Sequence, residues 1–246
     1  MTFEDSHPLA GSPSAAGSRE PAKPRILVVT AVEAERDAVL RGIAGAPGGS
    51  PAAAFDAIAA GVGPASAAAS TALALARAAA TYDLVVSAGI GGGFVGQAEI
   101  GSLVLSDRIV SADLGAETPE APGFLSVDEL GFGSARVDAN HAWNERLLAA
   151  LLRAGLGAIH APVITVSSAT GTAATAALRA ELVPGAASEG MEGFGVATAA
   201  AQLGIPVTEL RAISNAVGPR DRAAWRIGEA LQALEAAFRA IAVHIK

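Results

Sequence analysis

The chain has 246 residues and a formal net charge of −7; 51% of it is apolar but only 4% is aromatic. That length suits one sizeable α/β domain or two small ones, and an acidic balance without Lys/Arg clusters excludes a nucleic-acid backbone or an anionic membrane surface as partner. Cysteine is absent, which removes disulfides, thiolate catalysis and Cys-based metal sites.

The four histidines, His7, His141, His160 and His244, are far apart and lack metal-ligand spacing. No metal and no cofactor is expected. A mean hydropathy of +0.42 invites a membrane reading, but no stretch of about 18 residues is free of charged or turn residues. Residues 1–24 are rich in Ser, Pro, Ala and Gly and lack the apolar run of a secretory signal. They read as a disordered tail, and a cytoplasmic protein is the default.

In chain order, Arg25–Thr30 is a short β-branched run, the mark of a strand buried on both faces. A helix is expected from about Glu33 to Ile43, then a second strand from Phe55 to Ala60 that runs into Gly61-Val62-Gly63. The Ala-rich segment from Ala65 to Ala79 is strongly helix-forming. Leu84 to Ala88 reads as a buried strand followed by a glycine turn, Gly89 to Gly93. One or two strands are expected over Ser102 to Val110. Residues 113–139 show no clear period and read as a long functional loop or an excursion from the domain. Further on come a helix over Ala142 to Ala154, a strand over Pro162 to Ser167 and a helix over Thr172 to Leu182. A helix over Met191 to Leu203, a strand over Pro206 to Ser214 and an amphipathic helix over Asp221 to Ile245 complete the chain.

Strand and helix alternate, with glycines just after strands. This predicts a single-domain α/β fold, a three-layer α/β/α arrangement with a central mixed, mostly parallel sheet, spanning residues 25–246. In such folds the site lies beyond the carboxyl ends of the strands. Neither Gly61-Val62-Gly63 nor Gly89 to Gly93 matches a dinucleotide fingerprint, and no P-loop is present. The glycines are either tight turns or, as for Gly91, places where backbone approaches a small ligand.

Two carboxylates stand out. Glu35 lies in the first turn of a helix, where the dipole alone would explain an acid; Glu33 competes with it. Glu192 sits between Met191 and Gly193-Phe194, apolar company for a surface acid; it is either a helix cap or a ligand-facing group. With no Ser-His-Asp set and no thiol, acyl transfer has little support. Carboxylates, backbone amides and one side-chain amide suit acid/base-assisted cleavage through a cation-like transition state.

Ala31-Val-Glu-Ala-Glu35, Ser87-Ala-Gly-Ile-Gly-Gly-Gly93, Met191-Glu192-Gly193 and Arg211-Ala-Ile-Ser214 together resemble the nucleoside phosphorylase/nucleosidase superfamily, over Arg25 to the C-terminus. Thr165 to Thr172, Ile213 to Asp221 and Trp225 resemble most its futalosine-hydrolysing branch. That resemblance implies release of hypoxanthine from futalosine, a step toward menaquinone. It also implies a small nucleoside substrate and a homodimer or higher homo-oligomer that completes the site. By the same resemblance Glu35 activates the attacking water, and Met191 and Glu192 meet the ribose. Gly91, Thr170, Gly171 and Thr172 join the binding site. Asn215 falls where adenine nucleosidases carry an aspartate.

An amide donates and accepts but does not titrate. Facing a 6-oxopurine, Asn215 can donate to O6 and accept from a protonated N7; facing adenine it cannot supply the proton. Its other reading is a strand-ending Asn that opens a turn into Gly218-Pro219. Asp221 is expected to cap the last helix and Trp225 to pack that helix on the sheet. Arg220 is left as a candidate for the substrate's carboxylate. An adenine nucleosidase, a phosphorylase and a nucleoside-binding protein without chemistry are the competing readings.

Overall fold

The structure is a computed structural model that describes residues 23–47 and 50–245. The tail expected over residues 1–24 therefore lies, apart from Lys23 and Pro24, outside the described residues. The first strand, β1 (Arg25–Thr30), sets the plan. Its Ile26 and Val28 enter one apolar cluster and Leu27 and Val29 another, all of them 1% exposed or less. Successive strand side chains point to opposite faces, so the sheet must be covered on both. Each such burial contributes about 1.5–3 kcal/mol.

One cover is built by α1 (Glu33–Ala44), α3 (His141–Arg153) and α6 (Ile227–His244), which bring Val39, Leu147 and Phe238 into the same apolar cluster as Ile26 and Val28. The other is built by α2 (Pro64–Arg77) and α5 (Gly193–Gln202) through Ala67, Leu75, Val196 and Ala200. A smaller cluster seats α4 (Ala173–Leu182) on Ile164 and Val166. The result is the expected three-layer sandwich.

The remaining strands are β2 (Ala54–Ala59), β3 (Leu84–Gly93), β4 (Leu103–Ser111), β5 (Gly115–Glu117), β6 (Phe124–Ser126), β7 (Arg136–Asp138), β8 (Ala158–Thr165), β9 (Ser188–Gly190) and β10 (Val207–Ala216). The main sheet runs β10-β4-β8-β9-β3-β1-β2, and β10 also pairs with β3, which closes part of the sheet on itself. Pairs β1/β2, β1/β3, β3/β10, β4/β8 and β8/β9 are parallel; β4/β10, β3/β9 and β4/β7 are antiparallel. The sheet is mixed and mostly parallel.

Several elements depart from the sequence reading. Gly89 to Gly93 is not a turn but the second half of β3, wedged between β9 and β10. Glycine is needed there for close approach: a Cβ on Gly93 would lie 2.2 Å from the Ala98 carbonyl oxygen. The 113–139 segment is not structureless; it holds the β5/β6 pair and β7, which adds to β4. Helix α5 starts at Gly193, after the unexpected strand β9.

The last helix is shorter than expected. Asp221 caps a single 3₁₀ turn, Arg222–Ala224, by accepting from the Ala223 amide at 3.0 Å. The chain is extended at Trp225 and α6 begins at Ile227. Arg226 N–H donates to the Ser214 carbonyl at 2.8 Å, pinning this loop over the end of β10.

Candidate active site

Strands β1, β3, β9 and β10 end on a common cleft of about 290 Å³. Its lining includes Glu35, Gly91, Thr170, Met191, Glu192, Asn215 and Arg220, seven residues singled out from the sequence. A larger hollow of about 550 Å³ lies beneath the 113–139 segment, lined by Arg108, Phe124, Arg136 and Glu181 among others. Volume alone does not decide between them. The smaller cleft gathers the buried acidic and basic groups, as a reacting site requires.

Glu35 is 4% exposed and reaches back over the start of α1. Its Oε2 accepts from the Ala31 and Val32 amides at 3.0 and 3.2 Å, and its Oε1 from the Ile90 amide at 2.9 Å. The bond from Val32 is the reach-back half of a capping box. The bond from Ile90 belongs to another strand, so capping accounts for only part of this geometry. Glu33, the competitor, is exposed and 3.8 Å from Arg36 on the helix surface.

Glu192 occupies the N-cap position of α5, yet its side chain makes no capping bond. Its Oε1 instead accepts from the Gly63 amide at 3.2 Å; its Oε2 accepts from the Met191 amide at 3.3 Å and from Arg211 Nη2 at 3.2 Å. Arg211 is 2% exposed and donates through Nε to Glu209 at 2.7 Å and through Nη1 to the Ile90 carbonyl at 3.1 Å. Ile90 thus links both glutamates: its N–H holds Glu35 and its carbonyl holds the cation that pairs with Glu192. Burial alone would lower the pKa of Arg211. The Glu209, Glu192 and Glu35 carboxylates outweigh that effect and hold it above its ordinary value.

Asn215 does not end its strand. Ser214 is an extra residue in β10, where the register with β3 jumps from Ile213 opposite Gly91 to Asn215 opposite Gly92. Such a bulge re-aims side chains, and it turns the half-buried carboxamide toward the cleft. The Ser214 hydroxyl lies 2.8 Å from Asn215 Oδ1, and Asn215 Nδ2 donates to the Ala216 carbonyl at 3.0 Å. Trp225, expected only to pack the last helix, lines the cleft instead. Arg220 N–H donates to the Gly171 carbonyl at 3.3 Å, joining this loop to the one after β8.

Thr170 lines the cleft, while its neighbours do other work. Thr172 is the N-cap of α4, accepting from the Thr175 amide at 3.1 Å, and neither it nor Gly171 lines the cleft. Thr170 is fastened by Glu189, which accepts from its amide at 2.8 Å and from its hydroxyl. Burial pushes the Glu189 carboxyl above its usual range, against the two bonds from Thr170. Glu189, Glu209 and Arg211 were not among the site residues chosen from the sequence. Their signal was present: a charged Glu-x-Arg inside the apolar strand Val207–Ala216, and a second glutamate three residues before Glu192. Among the described residues no cluster of carboxylates and imidazoles could hold a metal ion.

A family model described as the phosphorylase superfamily matches residues 26–245. The chain belongs to the phosphorylase superfamily. Within the superfamily it is 56% identical to a futalosine hydrolase of Streptomyces coelicolor over 222 residues, 85% of this chain and 91% of that one. It is 45% identical to a futalosine hydrolase of Acidothermus cellulolyticus, over 87% of this chain and 89% of that one. Among solved structures, the native futalosine hydrolase of Helicobacter pylori superposes with a TM-score of 0.74 at 15% identity, covering 89% of this chain and 97% of that one. A methylthioadenosine/S-adenosylhomocysteine nucleosidase of Neisseria meningitidis gives a TM-score of 0.71 at 18% identity, covering 89% of this chain and 99% of its own. At such identities these two structures establish the superfamily fold.

Proposed function

We propose that this protein hydrolyses the N-glycosidic bond of futalosine, releasing hypoxanthine and dehypoxanthine futalosine. The observation that carries the reading is the 56% identity to a futalosine hydrolase along 85% of the chain. The geometry supports the chemistry. Glu35 takes a proton from the water that attacks the anomeric carbon; the C–N bond breaks and its electron pair leaves with the base. Glu192, beside Met191, accepts from the ribose hydroxyls and opposes the positive charge that develops on the sugar, a gain realised in the transition state. Asn215 donates to O6 and accepts from the protonated N7. Since an amide does not titrate, that proton comes from solvent.

Phosphate is a poor nucleophile for this cleft. Its buried cation, Arg211, already faces two carboxylates, and Glu35 would repel an anion brought alongside. Arg220, at the rim and in no ion pair among the described residues, fits the substrate's carboxylate. A homo-oligomer and a place on the route to menaquinone belong to this reading on the resemblance alone.

The test is one incubation series with futalosine, inosine and methylthioadenosine, with and without phosphate, measuring free base. Hypoxanthine from futalosine, independent of phosphate and well above release from inosine, is expected. Adenine release or strict phosphate dependence sinks the reading.

A further inference from the structure

Glu209 is the most deeply buried acid of the molecule's described residues, 0% exposed, and it does not line the cleft. A carboxylate is costly to bury without strong partners, yet no donor among the described residues reaches its Oε2. Its one side-chain bond is to Arg211 Nε, at 2.7 Å. Room for this pair is made by missing side chains. A Cβ on Gly193 would lie 2.1 Å from Glu209 Oε2, and a Cβ on Gly190 would lie 2.7 Å from the Arg211 guanidinium carbon.

The two residues stand at positions 209 and 211 of β10, so both point to the same face of the strand. An arginine guanidinium is planar, with donors in a fixed fork. Anchoring Nε therefore sets the plane and direction of the other two nitrogens. One of these meets Glu192 at 3.2 Å and the other the Ile90 carbonyl at 3.1 Å, beside the amide that holds Glu35.

We propose that Glu209 is a positioning residue: it fixes the Arg211 guanidinium so that one rigid cation aligns Glu192 and Glu35 across the cleft. The inference rests on the proposed function only in naming those two glutamates as the reacting groups. What the anchor must supply is an acceptor at the right distance from Nε.

Three variants separate reach from charge and from bulk. Glu209→Gln keeps an acceptor at the same reach and removes the charge. Glu209→Asp keeps the charge but draws the acceptor back by about 1.5 Å, one carbon–carbon bond, which takes the contact with Nε out of hydrogen-bonding range. Glu209→Met fills the volume with no comparable acceptor. The measurements are kcat, KM and the melting temperature of each. The expected result is that Gln stays within a few-fold of the wild-type kcat, while Asp and Met lose roughly 10²-fold, the scale of a 1 Å misplacement. KM should change less than kcat, since Glu209 touches no substrate and the gain from an aligned Glu192 is realised in the transition state. Any other order overturns the inference, including an active Asp beside an inactive Gln, or all variants at wild-type kcat with only a lowered melting temperature. Wild-type turnover of futalosine tests the proposed function. The variant-to-wild-type ratio, taken on whichever purine nucleoside the wild type cleaves, tests Glu209.

Discussion

Replacing Glu35 by glutamine separates what this side chain does for folding from what it does for catalysis. Two backbone amides, of Ala31 and Val32, donate to Oε2, and the Ile90 amide donates to Oε1. A glutamine carbonyl can serve one side only. The better orientation keeps the two donors at the start of α1 and sets the new NH2 group against the Ile90 N–H. One buried hydrogen bond becomes a contact between two donors, which costs about 1–3 kcal/mol. For a chain of this size that lowers the melting temperature by roughly 2–4 °C per kcal/mol. Loss of the water-activating base should separately reduce kcat by about 10²–10⁴-fold. The assay pairs a circular-dichroism melt with hypoxanthine release from futalosine at 25 °C, where the variant remains folded. A Glu35→Gln protein that keeps the wild-type kcat would refute the assignment. So would a rate loss that merely tracks the unfolded fraction.

Two other substitutions test the remaining groups. In Asn215→Asp, the Ser214 hydroxyl can still donate, but the second carboxylate oxygen faces the Ala216 carbonyl that now accepts from Nδ2. Hypoxanthine release should fall about 5- to 150-fold, the equivalent of one mismatched polar pair at ~1–3 kcal/mol, while release of adenine from 6-amino nucleosides rises; unchanged selectivity between the two bases would count against a base-reading role. Glu189→Gln should keep both bonds to Thr170, its carbonyl accepting from the amide and its NH2 donating to the hydroxyl. Because burial raises the folded-state value of Glu189, its contribution to stability is full below the unfolded carboxyl value of about 4.3 and is lost as pH rises through the folded value. The variant's melting temperature should therefore gain on the wild type as pH rises from about 4.3 through the folded value, and the gain should level off above it; a difference that does not vary with pH would contradict this origin.

The layers and the direction of the sheet were legible because burial on two faces writes itself into composition. Ile26 to Val29 can all be apolar only if both sides are covered, and the alternation of such runs with Ala-rich helices leaves little choice of fold class. That Glu35, Glu192 and Asn215 share one cleft was anticipated from their settings: an acid in the first turn of a helix, an acid between Met191 and Gly193-Phe194, and an amide where the apolar run over residues 207–213 gives out. The glycines of β3 were misread as a turn because a turn and a crowded strand make the same demand, a position with no side chain. The start of the last helix was misread because Asp221 caps whichever turn follows it, and the sequence does not say that the turn lasts only three residues.

By itself, then, the sequence determined an α/β sandwich with acidic groups and one amide at its strand ends, since local periodicity and burial are properties of consecutive residues. Only the tertiary structure decided how those groups are wired. Glu35 and Glu192 are 157 positions apart, and what joins them is Arg211 and both polar atoms of the Ile90 backbone. The aim of Asn215 likewise depends on a bulge that exists only because β10 pairs with β3. Hydrogen-bond direction and strand register arise between distant segments, and no window of neighbouring residues contains them.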